Sequence, residues 1–359
     1  MRIGLTLSSR HSRRLAGTLA LLASLLTCGT SGAARFSNLY DAMVTPDPNA
    51  PEAAATELAL AAVLVRVTGS RQAALDPQLL GLAGTPSIVT KRGTYSEGRT
   101  LIGFSPRLVD QGLRSLSWPV WGAERPLTVL WVAVDDGVGG RALLGANDAP
   151  SDPSQAMAEQ LKGIRAELNA VADERGLPIA LPLLDLEDLS VVTPSDIWGG
   201  FDDRVTQAST RYRADAVLIG KIGPGVLGTE VQWLLIRGGE RRVLEGAGVR
   251  DGLDTIADLY AADLGSIGAA ASTLISVLDV GSAGDYGRVM SYLESLSVLQ
   301  SVNVESLERG VLSLRVDARG GAPVLERVLA LGGVLSPATG GAAPSGAALA
   351  FRINRGTGR

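Results

Sequence analysis

The sequence has almost none of the residues on which most hydrolytic and metal chemistry depends. Its one histidine, His11, and its one cysteine, Cys28, both lie near the amino terminus. A chain cut after residue 34 has neither, which excludes Ser-His-Asp and Cys-His catalysis, structural zinc, haem bound through histidine, and disulfides. We therefore predict no catalytic residue, no metal site and no cofactor. The fold has to depend on its apolar core, which is sufficient at this length.

Basic residues are also in the minority once the amino terminus is removed. Residues 1–34 contain four arginines and no acid, so 29 of the 33 basic residues remain against 37 acidic ones, a net charge of −8. No tract of clustered basic residues is left. Phosphate binding depends on such clusters, so we predict that neither nucleic acid nor an anionic membrane surface is a partner.

The amino terminus has the three-part order of a secretory signal peptide. Four arginines lie within residues 2–14. An uncharged apolar run then covers residues 15–26, and small residues follow over 28–34. The apolar run is too short to span a bilayer comfortably. We predict a signal peptide over residues 1–34, cut after Ala33 or Ala34, and a periplasmic protein with no transmembrane segment after cleavage.

Residues 25–28 offer an alternative to ordinary cleavage. They resemble a lipoprotein processing site, which would place a lipid on Cys28 and anchor the protein. However, Thr27 stands where such a site has a smaller residue. Ordinary secretion requires no unusual residue, and it is the favoured interpretation.

The middle of the chain alternates strand and helix patterns. The strand patterns lie over 127–134, 178–184 and 216–219, and the helix patterns over 153–175 and 202–213. The first strand is an almost unbroken apolar run, which is typical of a strand buried on both faces. The alternation predicts an α/β domain over residues 126–270, a mixed sheet with parallel core strands and flanking helices. Two antiparallel strands and a helix complete it, over 230–236, 242–248 and 251–270.

Patterns of the α+β class flank this domain. An amino-terminal module over residues 35–125 has a strand, three helices and a hairpin, over 36–44, 51–67, 77–83, 107–116 and 87–104. The order of elements over 271–336 is βαββαβ, which predicts a ferredoxin-like domain. Residues 337–359 are rich in Gly, Ala and Pro, so we predict a flexible tail there, with one edge strand at 349–353.

A glycine-rich segment over residues 223–228 matches the spacing of a dinucleotide-binding loop. Such a loop has to open a helix, because the helix N-terminus holds the pyrophosphate. Here Thr229 is followed by apolar residues typical of a strand. The context therefore predicts a hairpin and no dinucleotide.

Acidic residues gather where the second strand pattern ends. Asp185, Glu187 and Asp188 follow that strand, and Asp202 and Asp203 follow the next turn. Ligands bind at the carboxyl ends of strands in open α/β sheets, and carboxylates there hold a cation or act as acid and base. Acids at such positions more commonly cap helix N-termini. We favour capping, with the acids forming a rim that faces a partner or ligand.

Five tryptophans stand out in a chain that is 4% aromatic. Trp131 and Trp233 lie within strand patterns and are predicted core residues. Trp118, Trp121 and Trp198 lie in turns, where an amphipathic ring packs a seam between domains or faces a partner. These three join the acids as candidate interaction residues.

Several segments together resemble an exported proteobacterial family, domain of unknown function 2066. They are residues 181–188, 196–201 and 208–220, with 63–69, 119–122 and 125–126 upstream. The resemblance spans about residues 40–270, and residues 43–46 depart from the family pattern. Because the family has no established activity, the resemblance implies kinship and export, and no function.

A weaker similarity concerns the acidic strand end and residues 211–220. These look like the amino-terminal α/β domains of envelope assembly proteins, such as the periplasmic propeller protein of the Tol system and activator lipoproteins of penicillin-binding proteins. Those domains bind partners and are not enzymes. The similarity is one of fold, and a fold alone does not fix a function.

These observations predict a non-enzymatic scaffold or accessory protein in cell-envelope assembly or maintenance, with an envelope protein as its partner. The alternative is a carboxylate- or metal-dependent hydrolase that uses the acidic residues named above. A third hypothesis is a small-ligand receptor, which requires a deep apolar pocket.

Overall fold

The computed structural model describes residues 34–35, 38–47, 49–95, 98–147, 154–226, 228–246, 248–267, 270–338 and 347–354. The predicted signal peptide, apart from Ala34, and most of the predicted flexible tail lie outside these ranges. The described residues form one compact unit. None of the helices in these ranges has the length and hydropathy needed to span a membrane.

The amino-terminal part consists of short strands and three helices. The strands are β1 (Ala34–Arg35), β2 (Asp41–Val44), β3 (Val89–Thr94), β4 (Thr100–Phe104) and β5 (Glu124–Arg125), and the helices are α1 (Glu52–Thr68), α2 (Pro77–Leu80) and α3 (Pro106–Ser115). An antiparallel sheet has the order β2–β4–β3, and β1 pairs with β5. The hairpin and the helices are confirmed. The strand predicted over residues 36–44 is β2, which begins only at Asp41 because a turn occupies residues 38–40.

Helix α1 shows how the local sequence sets the ends of an element. Pro51 stands at its start, where the fixed φ of proline suits the first turn and a missing N–H costs nothing. Leu60 and Val63 are completely buried in the core of the amino-terminal part. Gly69 ends the helix with a φ of +70°, and a Cβ there would lie 2.3 Å from the Cβ of Ala261. Glycine therefore meets both the backbone and the packing requirement.

The middle sheet confirms the predicted α/β class. Its strands are β6 (Thr128–Asp135), β7 (Arg141–Leu143), β8 (Ile179–Ala180), β9 (Ala216–Gly225), β10 (Gly228–Arg237) and β11 (Glu240–Leu244). They lie in the order β11–β10–β9–β6–β7, with β8 parallel to β6 off this path. The two long central strands, β6 and β9, are parallel, as predicted.

Helices cover both faces of this sheet. They are α4 (Gln155–Arg175), α5 (Leu186–Val191), α6 (Pro194–Gly199), α7 (Asp202–Ser209) and α8 (Val249–Leu264). Successive side chains of a strand point to opposite faces. Accordingly, Leu130 and Val132 of β6 pack with α4 and α8, whereas Val129 and Trp131 pack with α6 and α7. Burial on both faces explains the unbroken apolar run.

The strand predicted over residues 178–184 is wrong beyond its first residues. Only Ile179 and Ala180 pair with β6, because Pro178 and Pro182 on either side lack the N–H that a ladder requires. Leu184 then turns the chain with a φ of +54°. The strand is therefore a two-residue contact, and the chain after it is free to turn into α5.

The carboxy-terminal part is a second mixed sheet with two helices. Its elements are β12 (Ala270–Leu278), α9 (Ala283–Ser295), β13 (Leu299–Glu308), β14 (Val311–Arg319), α10 (Gly321–Leu331), β15 (Leu335–Pro337) and β16 (Leu349–Ile353). The predicted βαββαβ order is present. The sheet order, β13–β14–β12–β16–β15, differs from that of a ferredoxin-like domain at one side.

The difference is the position of β16, which was predicted as an edge strand. It lies inside the sheet, parallel to β12 and antiparallel to β15. Its Phe351 and Ile353 are buried, whereas β15 is only three residues long and ends at Pro337. The inner place suits β16, which has two buried apolar side chains. It does not suit β15, because its proline cannot donate a hydrogen bond to a second neighbouring strand. The middle and carboxy-terminal sheets share one apolar core.

Candidate functional site

The acidic residues at the start of α5 contact the backbone of their own helix and one arginine, Arg211. The side chain of Asp185 caps α5 by accepting a hydrogen bond from the backbone N–H of Asp188 at 3.1 Å, which confirms the capping interpretation for this residue. Arg211 donates to both oxygens of Asp185, at 2.7 and 2.9 Å, and lies 3.6 Å from Glu187. This bidentate pair holds the pKa of the Asp185 carboxyl at about 2.

Asp188 differs from its neighbours because its side chain is buried. Its Oδ2 accepts hydrogen bonds from the backbone N–H of Leu184 at 2.9 Å and from the hydroxyl of Tyr212 at 2.5 Å. Its Oδ1 accepts from Arg211 at 3.0 Å. Burial and the contact with Asp188 together raise the pKa of Tyr212 to about 12. A buried carboxylate with three donors around it is an internal anchor that holds the turn before α5.

Asp202 and Asp203 do not cap a helix, in contrast to the prediction. Phe201 is the N-cap of α7, so both acids lie in its first turn. Their negative charges interact favourably there with the positive end of the helix dipole. Asp203 forms an ion pair with Arg241 at 2.6 Å, and Asp202 lies 3.9 Å from the same arginine. They therefore engage a different cation from the acids of α5.

Asp196, which none of the sequence patterns singled out, helps to cap its helix. It forms a capping box with Thr193 at the start of α6 and accepts a hydrogen bond from Arg204 at 2.9 Å. The Thr-x-x-Asp spacing with Pro194 between them is the signal that predicts it. Within the described ranges, no three Asp, Glu, His or Cys side chains are grouped so that they could hold a metal ion.

The three candidate tryptophans are less accessible than predicted. Trp121 is completely buried, with the guanidinium of Arg125 3.8 Å from its ring centroid, so its place in an exposed rim is wrong. Trp118 is half-buried and donates to Asp76 at 3.0 Å. Trp198 is half-buried beneath Arg141, 5.2 Å from the ring centroid. Trp118 packs against the core of the amino-terminal part, and Trp198 packs against the middle sheet. The core positions of Trp131 and Trp233 are confirmed.

Three leucine side chains are exposed on the surface around α5. Leu186 is 89% exposed, Leu183 50% and Leu189 40%. Leu186 and Leu189 are three residues apart, so they share one side of the helix. We call Leu183, Leu186 and Leu189, together with Asp185 and Glu187, the α5 surface. Sequence analysis missed the leucines because an apolar residue near a strand end is normally counted as core.

The glycine segment forms the hairpin that its context predicts. Strand β9 ends at Gly225 and β10 begins at Gly228, which is its partner in the antiparallel register. The segment therefore turns from strand to strand and does not open a helix.

A cavity of about 650 Å³ lies where α3, β5, α8 and β14 meet. Its polar lining includes Tyr40, Asp41, Asp110, Glu124, Ser297 and Arg319. The Tyr40 hydroxyl donates to Asp110 at 2.6 Å, and burial raises the pKa of both groups above their ordinary values. These residues are far apart in the sequence, and no local motif connects them.

The comparisons with known proteins add one family. A family model described as a domain of unknown function, DUF8605, matches residues 33–122, about a quarter of the chain. It is a different family from the one that residues 181–220 resemble, so that resemblance stays a prediction. No curated protein and no solved structure matches the chain.

Proposed function

We propose that this chain is an exported, non-enzymatic interaction protein that serves assembly or maintenance of the cell envelope. The observation that supports it best is the α5 surface, where three exposed leucines surround acids that are already bound to Arg211 or to the helix start. Contiguous exposed apolar side chains with a polar rim are typical of protein-binding surfaces. The acids keep the helix and its leucines in place.

The charge of the α5 surface specifies the chemistry of the partner. Asp185 and Glu187 place two formal negative charges on this surface. Behind them, Arg211 and the buried Asp188 cancel each other, so the group keeps a net charge of −2. The partner should therefore present aliphatic side chains next to lysine or arginine. An envelope protein with a basic, apolar surface fits, whereas an acidic one is repelled.

Export gives the first testable prediction. The protein isolated from its native envelope should begin at Ala34 or Arg35, because the basic, apolar and small-residue segments are those of a cleaved signal. Intact-mass spectrometry distinguishes the outcomes. A protein that retains Met1 contradicts export, and a chain that begins at an acylated Cys28 replaces ordinary secretion by the lipoprotein alternative.

The second prediction tests the α5 surface in cells. A photoreactive amino acid in place of Leu186 should give a discrete adduct with an envelope protein, identified by mass spectrometry. The same amino acid in place of Val226, a fully exposed valine in the β9–β10 turn, should give none. Glu187→Lys should weaken the adduct because it removes the attraction for a basic partner, whereas Glu240→Lys on β11 should not.

Three outcomes contradict this proposal. They are equal adducts from both positions, an adduct that is insensitive to Glu187→Lys, and a partner whose crosslinked surface is acidic. Added salt provides a further control, since attraction between exposed charges is screened over about 10 Å at 0.1 M ionic strength.

A further inference from the structure

Arg319 has an unusual position at the end of β14, because it faces a cavity with few partners. Its Nη1 lies 3.5 Å from Oδ2 of Asp110, at the outer limit for a hydrogen bond. Its Nε is buried and has no partner among the residues that the structure describes. A guanidinium has five N–H donors, and a buried donor without an acceptor is costly. The side chain, 24% exposed, therefore has most of its hydrogen-bonding capacity to spare.

The acids around the cavity already have cations of their own. Asp41 pairs with Lys91 at 3.0 Å, and Asp110 lies 3.7 Å from Arg114. Glu124 lies beside the buried guanidinium of Arg125, which it attracts.

Glu124 is also satisfied by hydrogen bonds. It accepts one from the backbone N–H of Ser297 at 2.8 Å and another from the Ser297 hydroxyl.

Asp110 lies between two cations, 3.5 Å from Arg319 and 3.7 Å from Arg114. Four cations, Lys91, Arg114, Arg125 and Arg319, thus act on three acids, which leaves one positive charge in excess. The cavity is therefore suited to an anion next to Arg319.

Most of the remaining lining is apolar. It includes Leu39, Phe104, Val120, Leu264, Val298 and Val328. The volume of about 650 Å³ lies within the range of roughly 300–1,000 Å³ that is typical of small-molecule sites. An apolar cavity with one underused arginine has the two features that bind a molecule with an aliphatic body and one carboxylate.

We propose that this cavity binds a small aliphatic carboxylate, whose carboxylate accepts hydrogen bonds from Arg319 and whose chain packs against the apolar lining. The site is separate from the α5 surface, and it does not depend on the proposed interaction function. A carboxylate matches the planar guanidinium in a bidentate arrangement, which neither an alcohol nor an amine reproduces.

The test uses decanoate as the probe, below its micelle-forming concentration, and isothermal calorimetry on the mature protein. Decanoate should bind saturably, decanol at least about tenfold more weakly, and decylamine not at all, because a hydrogen bond to a charged group contributes more than the energy of a tenfold change. Arg319→Gln should weaken decanoate binding at least about tenfold and leave decanol binding unchanged.

Two variants control this experiment. Arg315→Gln, on the same strand, removes an arginine that pairs with Glu305 on the surface, and it should bind decanoate like the wild type. Ala123→Phe places a ring at the cavity wall and should reduce binding of both decanoate and decanol. Thermal unfolding identifies any variant that fails to fold. Absence of decanoate binding, equal binding of decanol, or an equal loss in Arg315→Gln would overturn the proposal.

Discussion

Replacing Arg125 by methionine is expected to lower the free energy of unfolding by about 3–5 kcal/mol, because it takes the donor from several buried backbone carbonyls at once. Each one left unpaired costs about 1–3 kcal/mol before the structure relaxes. The Arg125 side chain is completely buried. It donates five hydrogen bonds of 2.7–3.0 Å to backbone carbonyls, those of Arg66, Trp121, Gly122, Arg175 and Gly176. Burial lowers its pKa to about 9, so the guanidinium is still protonated at neutral pH and can donate all five.

The cost is large because of what remains after the substitution. The carbonyls belong to the end of α1, the end of α4 and the segment just before β5, and a methionine side chain offers them no donor. The stacking of the guanidinium on Trp121 is lost as well. Arg125 therefore joins the amino-terminal part to the middle sheet, and its loss should weaken both.

Arg125→Lys separates charge from geometry. Lysine keeps the charge, but its three donors are on one nitrogen atom. It therefore cannot reach all five carbonyls that surround the planar guanidinium of arginine. We expect it to lose at least about 2 kcal/mol of stability. Arg107→Met, at an exposed arginine in the first turn of α3, is the matched control and should change stability by about 0.5 kcal/mol or less. Urea unfolding measures all three variants, and equal stabilities for Arg125→Met and Arg107→Met would contradict the role of Arg125.

Arg125 also illustrates what the sequence can and cannot predict. Long segments with a clear period were predicted correctly, such as the apolar run of β6 and the helix α4, because their own side chains decide their structure. Arg125 is a charged residue in a two-residue strand, and its burial depends on carbonyls at the ends of two distant helices, α1 and α4. No local pattern predicts that arrangement.

The errors in the fold have the same physical origin. The segment over residues 178–184 has an apolar composition suited to a strand, but two prolines and the αL conformation of Leu184 end it. Strand β16 was placed at an edge because the preceding Gly/Ala/Pro-rich segment resembles the start of a tail. Its inner position follows from pairing with β12, which is a long-range contact. Pairing partners and sheet order are set by tertiary packing, to which a short segment contributes little.

Asp188→Asn is expected to lower the free energy of unfolding by about 2 kcal/mol, because a buried donor left without its acceptor costs about 1–3 kcal/mol. Asn can still accept from Leu184 and Tyr212 through its one oxygen. Its NH₂ group then faces the Arg211 guanidinium, so two donors meet where the carboxylate accepted a hydrogen bond at 3.0 Å. If Asp188 only capped a helix, the loss would be about 1 kcal/mol or less, because Asn accepts the same backbone hydrogen bond. The cap of α5 is Asp185, however, and Asp188 is a buried anchor.

Asp202→Asn is the matched control, and it also tests the hydrolase alternative. Asp202 lies 3.9 Å from Arg241 in the first turn of α7, so the neutral side chain should cost about 0.5 kcal/mol or less. Thermal unfolding of the wild type and both variants, each with calcium, magnesium, manganese or a chelator, should show no dependence on metal. A cation bound by the folded state would raise its stability by mass action. A rise in the wild-type midpoint with one metal, absent in both variants, would contradict the interaction proposal and favour a metal-dependent hydrolase. Equal stability of Asp188→Asn and Asp202→Asn would contradict the anchoring role of Asp188.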